Sequence, residues 1–288
     1  MDLEWNGAYS HKAHGYFNEI IEIGAVKLDA SFQIVDRFQA VIKPSVSRKL
    51  SEIVKGLTHI APEELDKGGS FVSVVHRLQD WMGTSEAAFL TWSQTDLLVL
   101  MENFRYFCHR QDIPMMAYYA DIQRYCQEKM GISLHQQMGL QAACENLNID
   151  TQGMETHRAL GDSLMTAEVL RRVGDPPSFH KILQKADKVF YDRVTFKPFV
   201  LKDIDSPLID RSLLRFSCPE CGRNLRRKGE WAFRGHAFFA DFTCRRCQKN
   251  FVGRVQFKQK YDCVDVKRKL TEKIEPPKEK GAGHEQEG

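Results

Sequence analysis

The stretch EIIEIGAVKLD, Glu19 to Asp29, is rich in β-branched residues and reads as a strand. IVDRFQAVIKP, Ile34 to Pro44, follows across a short spacer as a second strand, and the pair suits a hairpin. A helical, partly irregular region is expected from about Arg48 to Leu65. In SFVSVVHRLQDWMG, Phe71, Val74, Val75, Leu78 and Met82 recur at helical spacing, with Ser70 as N-cap and Gly83 as stop. AAFLTW (87–92) reads as a buried strand, TDLLVLMENFRYFCHR (95–110) as a helix capped by Thr95, and MMAYYADI (115–122) as a strand. Helices are expected near 122–130 and 136–147, and a last strong one over 156–173, closed by Gly174 and the Asp-Pro-Pro break. A meander of strands followed by alternating helices and strands fits an α/β body with a mixed sheet.

Four acidic residues and one histidine stand out against this frame. They are Asp2 and Glu4 at the start, Asp96 in WSQTD, and His157 and Asp162 in HRALGD. Side chains alternate along a strand, so Asp2 and Glu4 point the same way, about 7 Å apart along it. Two such carboxylates can share a pair of hard cations such as Mg²⁺ or Mn²⁺. A second strand end can bring Asp96 alongside, and a helix can present Asp162. Carboxylates gathered in one cleft repel one another unless cations neutralise them. His157 is expected in the entry to the last helix and Asp162 in its first turns, because a five-residue offset is about 140° of helical rotation. Taken singly, each piece also has a plain reading: a surface pair, a residue favoured by a helix dipole, a solvated histidine. Asp121 reads as a strand-end cap for the next helix and His180 as a structural residue. No Gly-rich phosphate loop and no Ser-His-Asp order is present, which argues against a covalent intermediate.

In combination and order, DLEWN, NEIIEIGAVKLD, LTHI, TWSQTD and HRALGDSLMTA resemble the DEDDh-type 3′→5′ exonucleases of the DnaQ-like superfamily. The match is nearest to the KapD-like bacterial and histone-mRNA-type branches and covers roughly residues 1–174. The resemblance implies an RNase H-like fold. It also implies metal binding by Asp2, Glu4, Asp96 and Asp162, with His157 as general base, and release of nucleoside 5′-monophosphates. Leu3, Trp5 and Asn6 would lie near the terminal nucleotide. The family carries several apolar strand residues ahead of its first Asp, whereas only Met1 precedes Asp2 here. A shortened first strand, with the native start upstream, is therefore expected.

The eight cysteines divide into two kinds. Cys108, Cys126 and Cys144 are scattered and read as reduced core thiols, and Cys263 has no evident partner. Cys218-Pro-Glu-Cys221 and Cys244-Arg-Arg-Cys247 are two CxxC pairs separated by 22 residues, a spacing that suits one structural Zn²⁺ in a ribbon. Gly222 allows the tight turn of the first knuckle. Residues 211–270 hold 16 Lys/Arg against five Asp/Glu, while the whole 288-residue chain is only +3. A basic module joined to an acidic body points to polyanion binding. Trp231, Phe233, Phe238, Phe239 and Phe242 interleave with these charges, and at least half should form the ribbon's core. Arg226, Arg227, Arg245 and Arg246 are the candidate nucleic-acid contacts.

The organisation expected is therefore an exonuclease domain over 1–175, a bridge over 176–210, a zinc ribbon over 211–262 and a disordered tail over 271–288. No apolar run is long enough to span a bilayer and no signal peptide is evident, leaving the cytoplasm as the default. The function expected is a Mg²⁺- or Mn²⁺-dependent 3′→5′ exonuclease with two metals, acting on single-stranded nucleic acid, with RNA favoured over DNA. The alternative is a non-catalytic nucleic-acid-binding or regulatory protein that keeps the fold, with a link to sporulation control.

Overall fold

The structure is a computed structural model that describes residues 1–47, 49–83 and 87–273. The chain divides into two compact units, Met1–Thr195 and Phe196–Gly288. The expected bridge is thus shared out: residues up to Thr195 fold with the first unit and those from Phe196 with the second.

In the first unit, β1 (Asp2–Ser10), β2 (Gly15–Leu28) and β3 (Ile34–Val41) form an antiparallel three-stranded sheet. The helical region expected near 48–65 is two short helices, α1 (Glu52–Thr58) and α2 (Pro62–Asp66), and Arg48 lies outside the described residues. Next comes α3 (Phe71–Met82), where Ser70 accepts from the Ser73 N–H at 3.2 Å and Gly83 ends the helix at φ 66°. A second three-stranded sheet holds β4 (Ala88–Thr91) parallel to β5 (Tyr118–Asp121), with β6 (Gln184–Lys185) beside β5. The helices between and after them are α4 (Thr95–Cys108), α5 (Ile122–Lys129), α6 (Leu140–Asn146), α7 (Ala159–Val173), α8 (Pro176–Phe179) and α9 (Lys188–Thr195). The N-cap of α4 is Gln94, not Thr95, which is already the first helical residue. Asp121 caps α5 as expected. Within the stretch expected as a bridge the chain forms helix α9, which buries Phe190 and Tyr191.

Burial follows the sequence periodicity. The inward faces of β2, α3 and α4 bring Ile20, Ile23, Val74, Leu78, Leu97 and Leu100 into one core. Cys126 and Cys144 sit in a second core with Met165 and Val169, as reduced thiols. Asn103 on α4 is fully buried and ties the helix to β2: its Oδ1 accepts from the Ile20 N–H at 3.1 Å and its amide donates to the Asn18 carbonyl at 2.7 Å.

The two sheets of this unit approach each other at the start of β1. The Met1 amino group donates to the Leu90 carbonyl of β4 at 2.7 Å. β1 pairs with β2 only from Asp2 opposite Gly24 onward, so Ala25–Leu28 of β2 have no β1 partner. A cavity of about 630 Å³ lies there, lined by Met1, Ala25–Leu28 and Ala87–Leu90 among others.

The second unit is an antiparallel sheet of β8 (Arg226–Arg234), β9 (Ala237–Thr243), β10 (Asn250–Gln259) and β11 (Val264–Glu272), with β7 (Phe199–Val200) also on β10. This sheet therefore runs past residue 262, the boundary expected for a ribbon, and Thr271 and Glu272, expected in a disordered tail, pair in register with Val252 and Phe251. The rest of that tail, 274–288, lies outside the described residues. Phe238 and Phe242 are buried and Trp231 packs against them, whereas Phe233 stays 36% exposed. Gly253 is required by packing: a Cβ there would lie 2.6 Å from the Phe242 ring and 2.8 Å from that of Phe216.

Candidate active site and cysteine centre

β1 carries Asp2 opposite Gly24 and Glu4 opposite Glu22 of β2, with a register shift between Glu4 and Trp5. Such irregularities re-aim side chains. α7 is laid across this end of β2 at close range. A Cβ at Gly24 would meet the Ala159 backbone at 2.0 Å, and one at Gly161 would meet the Glu155 carbonyl at 1.9 Å. Ser163 donates to the Gly24 carbonyl at 2.9 Å. Gly24 lets the first turn of α7, which contains Asp162, sit against β2, and Gly161 lets the segment that carries Glu155 pass close beside that turn.

The result is a cluster in which one carboxylate oxygen each from Asp2, Glu4 and Asp162 lies within 4.8 Å of the others. Asp96 is at the second position of α4, buried, and its Oδ1 accepts from the Leu3 N–H at 3.2 Å. It borders the cluster but is not among the three mutually close groups. His157 occupies the turn before α7, exposed, with φ 59° in the left-handed region that a non-glycine residue adopts at a cost. It opposes the rise that burial imposes on the Asp162 carboxyl.

Proton affinities record the crowding. Burial, followed by the charges of Asp96, Asp162 and Glu4, pushes Asp2 well above the usual carboxylate range. Burial, then Asp162 and Glu22, raises Glu4 to about 8. Asp96 rises to about 6 through burial, against the opposing pull of the N-terminal ammonium and of the N–H groups it accepts. Burial also raises Asp162 and lowers the Met1 amino group. Acidic oxygens alone, close together and partly desolvated, are the donor set that hard divalent cations take, and a cation would replace the protons the cluster otherwise holds.

Two residues that frame this site give no signal in the sequence. Glu22 is fully buried and accepts from Arg158 Nη2 at 2.7 Å, Arg158 Nε at 3.1 Å, the Ala159 N–H at 3.0 Å and Gln39 at 2.8 Å. Arg158 also reaches Glu64 at 2.7 Å. This ion pair fastens the residue between His157 and α7 to β2, and Arg158 offsets the Glu4–Glu22 repulsion across the strands. Of the residues expected near a terminal nucleotide, Leu3 and Asn6 are buried, and Asn6 is spent on the Lys49 carbonyl and Ser51 N–H. Trp5 remains half-exposed.

In the second unit, one Sγ each of Cys218, Cys221, Cys244 and Cys247 lies within 4.8 Å of the others, with Cys218–Cys247 at 4.0 Å and Cys221–Cys244 at 3.6 Å. A tetrahedral ion with bonds of about 2.3 Å to sulfur has an edge of about 3.8 Å, so the four thiols fit Zn²⁺. The knuckles are built alike. The Cys218 N–H donates to Arg223 at 2.8 Å and the Cys244 N–H to Lys249 at 2.9 Å. Gly222 turns the first at φ 70° and Gln248 the second at φ 55°. The Cys247 N–H donates to Cys244 Sγ and brings that thiol down to about 7.

The Exonuclease (RNase_T) family model matches residues 1–170. A 3'-5' exoribonuclease 1 of Rattus norvegicus is 36% identical over 72 residues, which is 25% of this chain and 21% of that protein. The probable 3'-5' exonuclease KapD of Bacillus subtilis is 28% identical over 106 residues, 36% of this chain and 50% of its own. The matches thus span at most half the length of these relatives. The solved nuclease domain of 3'hExo, a DEDDh family member bound to rAMP, superimposes with a TM-score of 0.51 at 23% identity, covering 59% of this chain and 88% of that one. Among the described residues no helix is long and apolar enough to cross a membrane. With the family model matched across more than half of its length, the chain belongs to the Exonuclease (RNase_T) family.

Proposed function

We propose that this chain is a divalent-cation-dependent 3′→5′ exonuclease that hydrolyses single-stranded nucleic acid, RNA in preference to DNA, to nucleoside 5′-monophosphates. The observation that carries the reading is the Asp2–Glu4–Asp162 oxygen cluster, within 4.8 Å, beside the turn that bears His157. Asp2, Glu4 and Asp162 would hold the cations, with Asp96 completing the set from the start of α4. When bound, two such ions supply an activated water and charge compensation for the leaving 3′ oxygen. His157, exposed at the cluster, accepts the proton of the attacking water. The Arg158–Glu22 pair holds that histidine's segment in place. Trp5 and the basic ribbon residues Arg226, Arg227, Arg245 and Arg246 contact the substrate, and one Zn²⁺ on the four cysteines keeps the ribbon folded. Preference for RNA is supported by relatives that are named exoribonucleases.

Product identity tests this reading. Digestion of a short RNA with Mn²⁺, followed by chromatography, is expected to release 5′-monophosphates only. Nucleoside 3′-phosphates or internal fragments would contradict it.

A further inference from the structure

A second place in the molecule concentrates charge without neutralising it. In the second unit a cleft of about 410 Å³ is lined by Arg223, Arg226, Arg245 and Arg246, together with Asn224 and Thr243. These arginines are exposed and make no ion pair among the described residues, whereas the neighbouring Arg227 pairs with Glu230 and Lys249 with Glu220 and Glu272. Their convergence is built. The Arg223 carbonyl closes the first knuckle, Arg245 and Arg246 form the turn of the second, and Arg226 stands opposite Thr243 in the β8–β9 ladder. The four cysteines draw the two knuckles together and with them guanidinium groups from distant parts of the chain.

We propose that this cleft is a phosphodiester site that grips the backbone of single-stranded nucleic acid without reading its bases. Guanidinium forks match phosphate oxygens in charge and geometry, and Asn224 and Thr243 add neutral donors. No aromatic ring lines the cleft, and beside the knuckle residue Cys244 only Leu225 is apolar. A protein interface would want an apolar centre, and base readout would want stacking surfaces; charge alone serves a polyanion. The proposal deepens the exonuclease reading by giving the second unit the substrate's backbone. It is tested by binding rather than cleavage, so each can fail without the other.

The test uses the full chain carrying His157→Ala, so that the probe persists, and 5′-fluorescein oligo(U) RNA followed by anisotropy over a salt series. Arg223→Glu with Arg245→Glu is expected to weaken binding by at least about tenfold and to flatten the salt dependence by about 0.7 for each phosphate no longer neutralised. Arg223→Gln with Arg245→Gln should move both quantities the same way by less. Lys267→Glu with Lys269→Glu, the same charge change on β11 outside the cleft, should leave affinity within about twofold. Circular dichroism and zinc content confirm that each variant is folded. Unchanged affinity in the cleft variants, an equal weakening in the β11 pair, or displacement of the RNA by polyglutamate as readily as by poly(U) would overturn the proposal, the last pointing to an acidic protein partner.

Discussion

Glu4→Gln should weaken the response of the protein's stability to pH and to metal. The Glu4 carboxyl is raised from 4.5 to about 8 in the fold by burial and by Asp162 and Glu22. Its proton is therefore held more tightly folded than unfolded. The associated stability is full below about pH 4.5 and falls away as pH rises towards 8. At 1.36 kcal/mol per pH unit the whole interval is worth roughly 5 kcal/mol. Solvent screening at this partly exposed side chain halves it, to about 2 kcal/mol. For a unit of this size that is a fall in Tm of roughly 4–8 °C between pH 5 and pH 8. Asp2, Asp96 and Asp162 are shifted the same way and add to the slope. Saturating Mn²⁺ should replace the protons and restore or exceed that stability at pH 8. In Glu4→Gln the metal-free slope should be shallower and the Mn²⁺ gain smaller. Both proteins carry the same cysteine centre, so their difference isolates the carboxylates. Differential scanning calorimetry on resin-treated protein, with and without Mn²⁺, reads all four states. A metal-free Tm that rises with pH, or an equal Mn²⁺ gain in both proteins, would refute the reasoning.

Removing the buried partner of Arg158 by Glu22→Gln should cost about 3 kcal/mol, because it leaves a largely buried guanidinium underpaired. Chemical denaturation should show it as a lower midpoint at unchanged slope, and an unchanged midpoint would contradict the role given to this pair. Cys221→Ser should release bound zinc, measured by a chromogenic chelator, and disorder the β8–β11 sheet by amide exchange while leaving α3 and α4 protected. A variant that binds no less zinc would remove the four-cysteine centre from the scheme. Extending the chain upstream of Met1 by four β-branched residues should raise Tm. The added strand would lie between β4 and the β2 residues Ala25–Leu28, which pair with β3 but have no β1 partner, fill the 630 Å³ cavity and relieve a buried ammonium. Burying two such side chains is worth about 3–6 kcal/mol, and an unchanged or lower Tm would show that the cavity does not accept a strand.

Much of this is legible in the sequence because the signals are local. The helical spacing of Phe71, Val74, Val75, Leu78 and Met82, with Ser70 and Gly83 at the ends, needs no knowledge of the rest of the chain. The same holds for the two cysteine knuckles, and for His157 in a turn with Asp162 on the helix after it. What escapes depends on distant partners. Glu22 and Arg158 are 136 residues apart in sequence, and neither looks unusual where it stands. Gly24 reads as an ordinary strand residue until Ala159 is laid against it. The VDVKRKLTE run lies past the expected end of the ribbon and enters the expected tail at Thr271, yet it completes a sheet because β10 offers it an edge. Asn6 is expected near the terminal nucleotide by resemblance alone, and a loop that returns through Lys49 and Ser51 buries it. Asp96 stands out by motif, but its contact with the Leu3 N–H comes only from the packing of α4 against β1.

The most direct measurement is degradation of 5′-labelled single-stranded RNA and DNA of equal sequence with Mn²⁺, by the native chain and by His157→Ala. A ladder that shortens from the 3′ end, faster on RNA and slowed about 10²- to 10⁴-fold in the variant, is expected of a general base at that position. Absence of shortening on either strand, or shortening that the variant leaves intact, would contradict an exonuclease site built on Asp2, Glu4, Asp162 and His157.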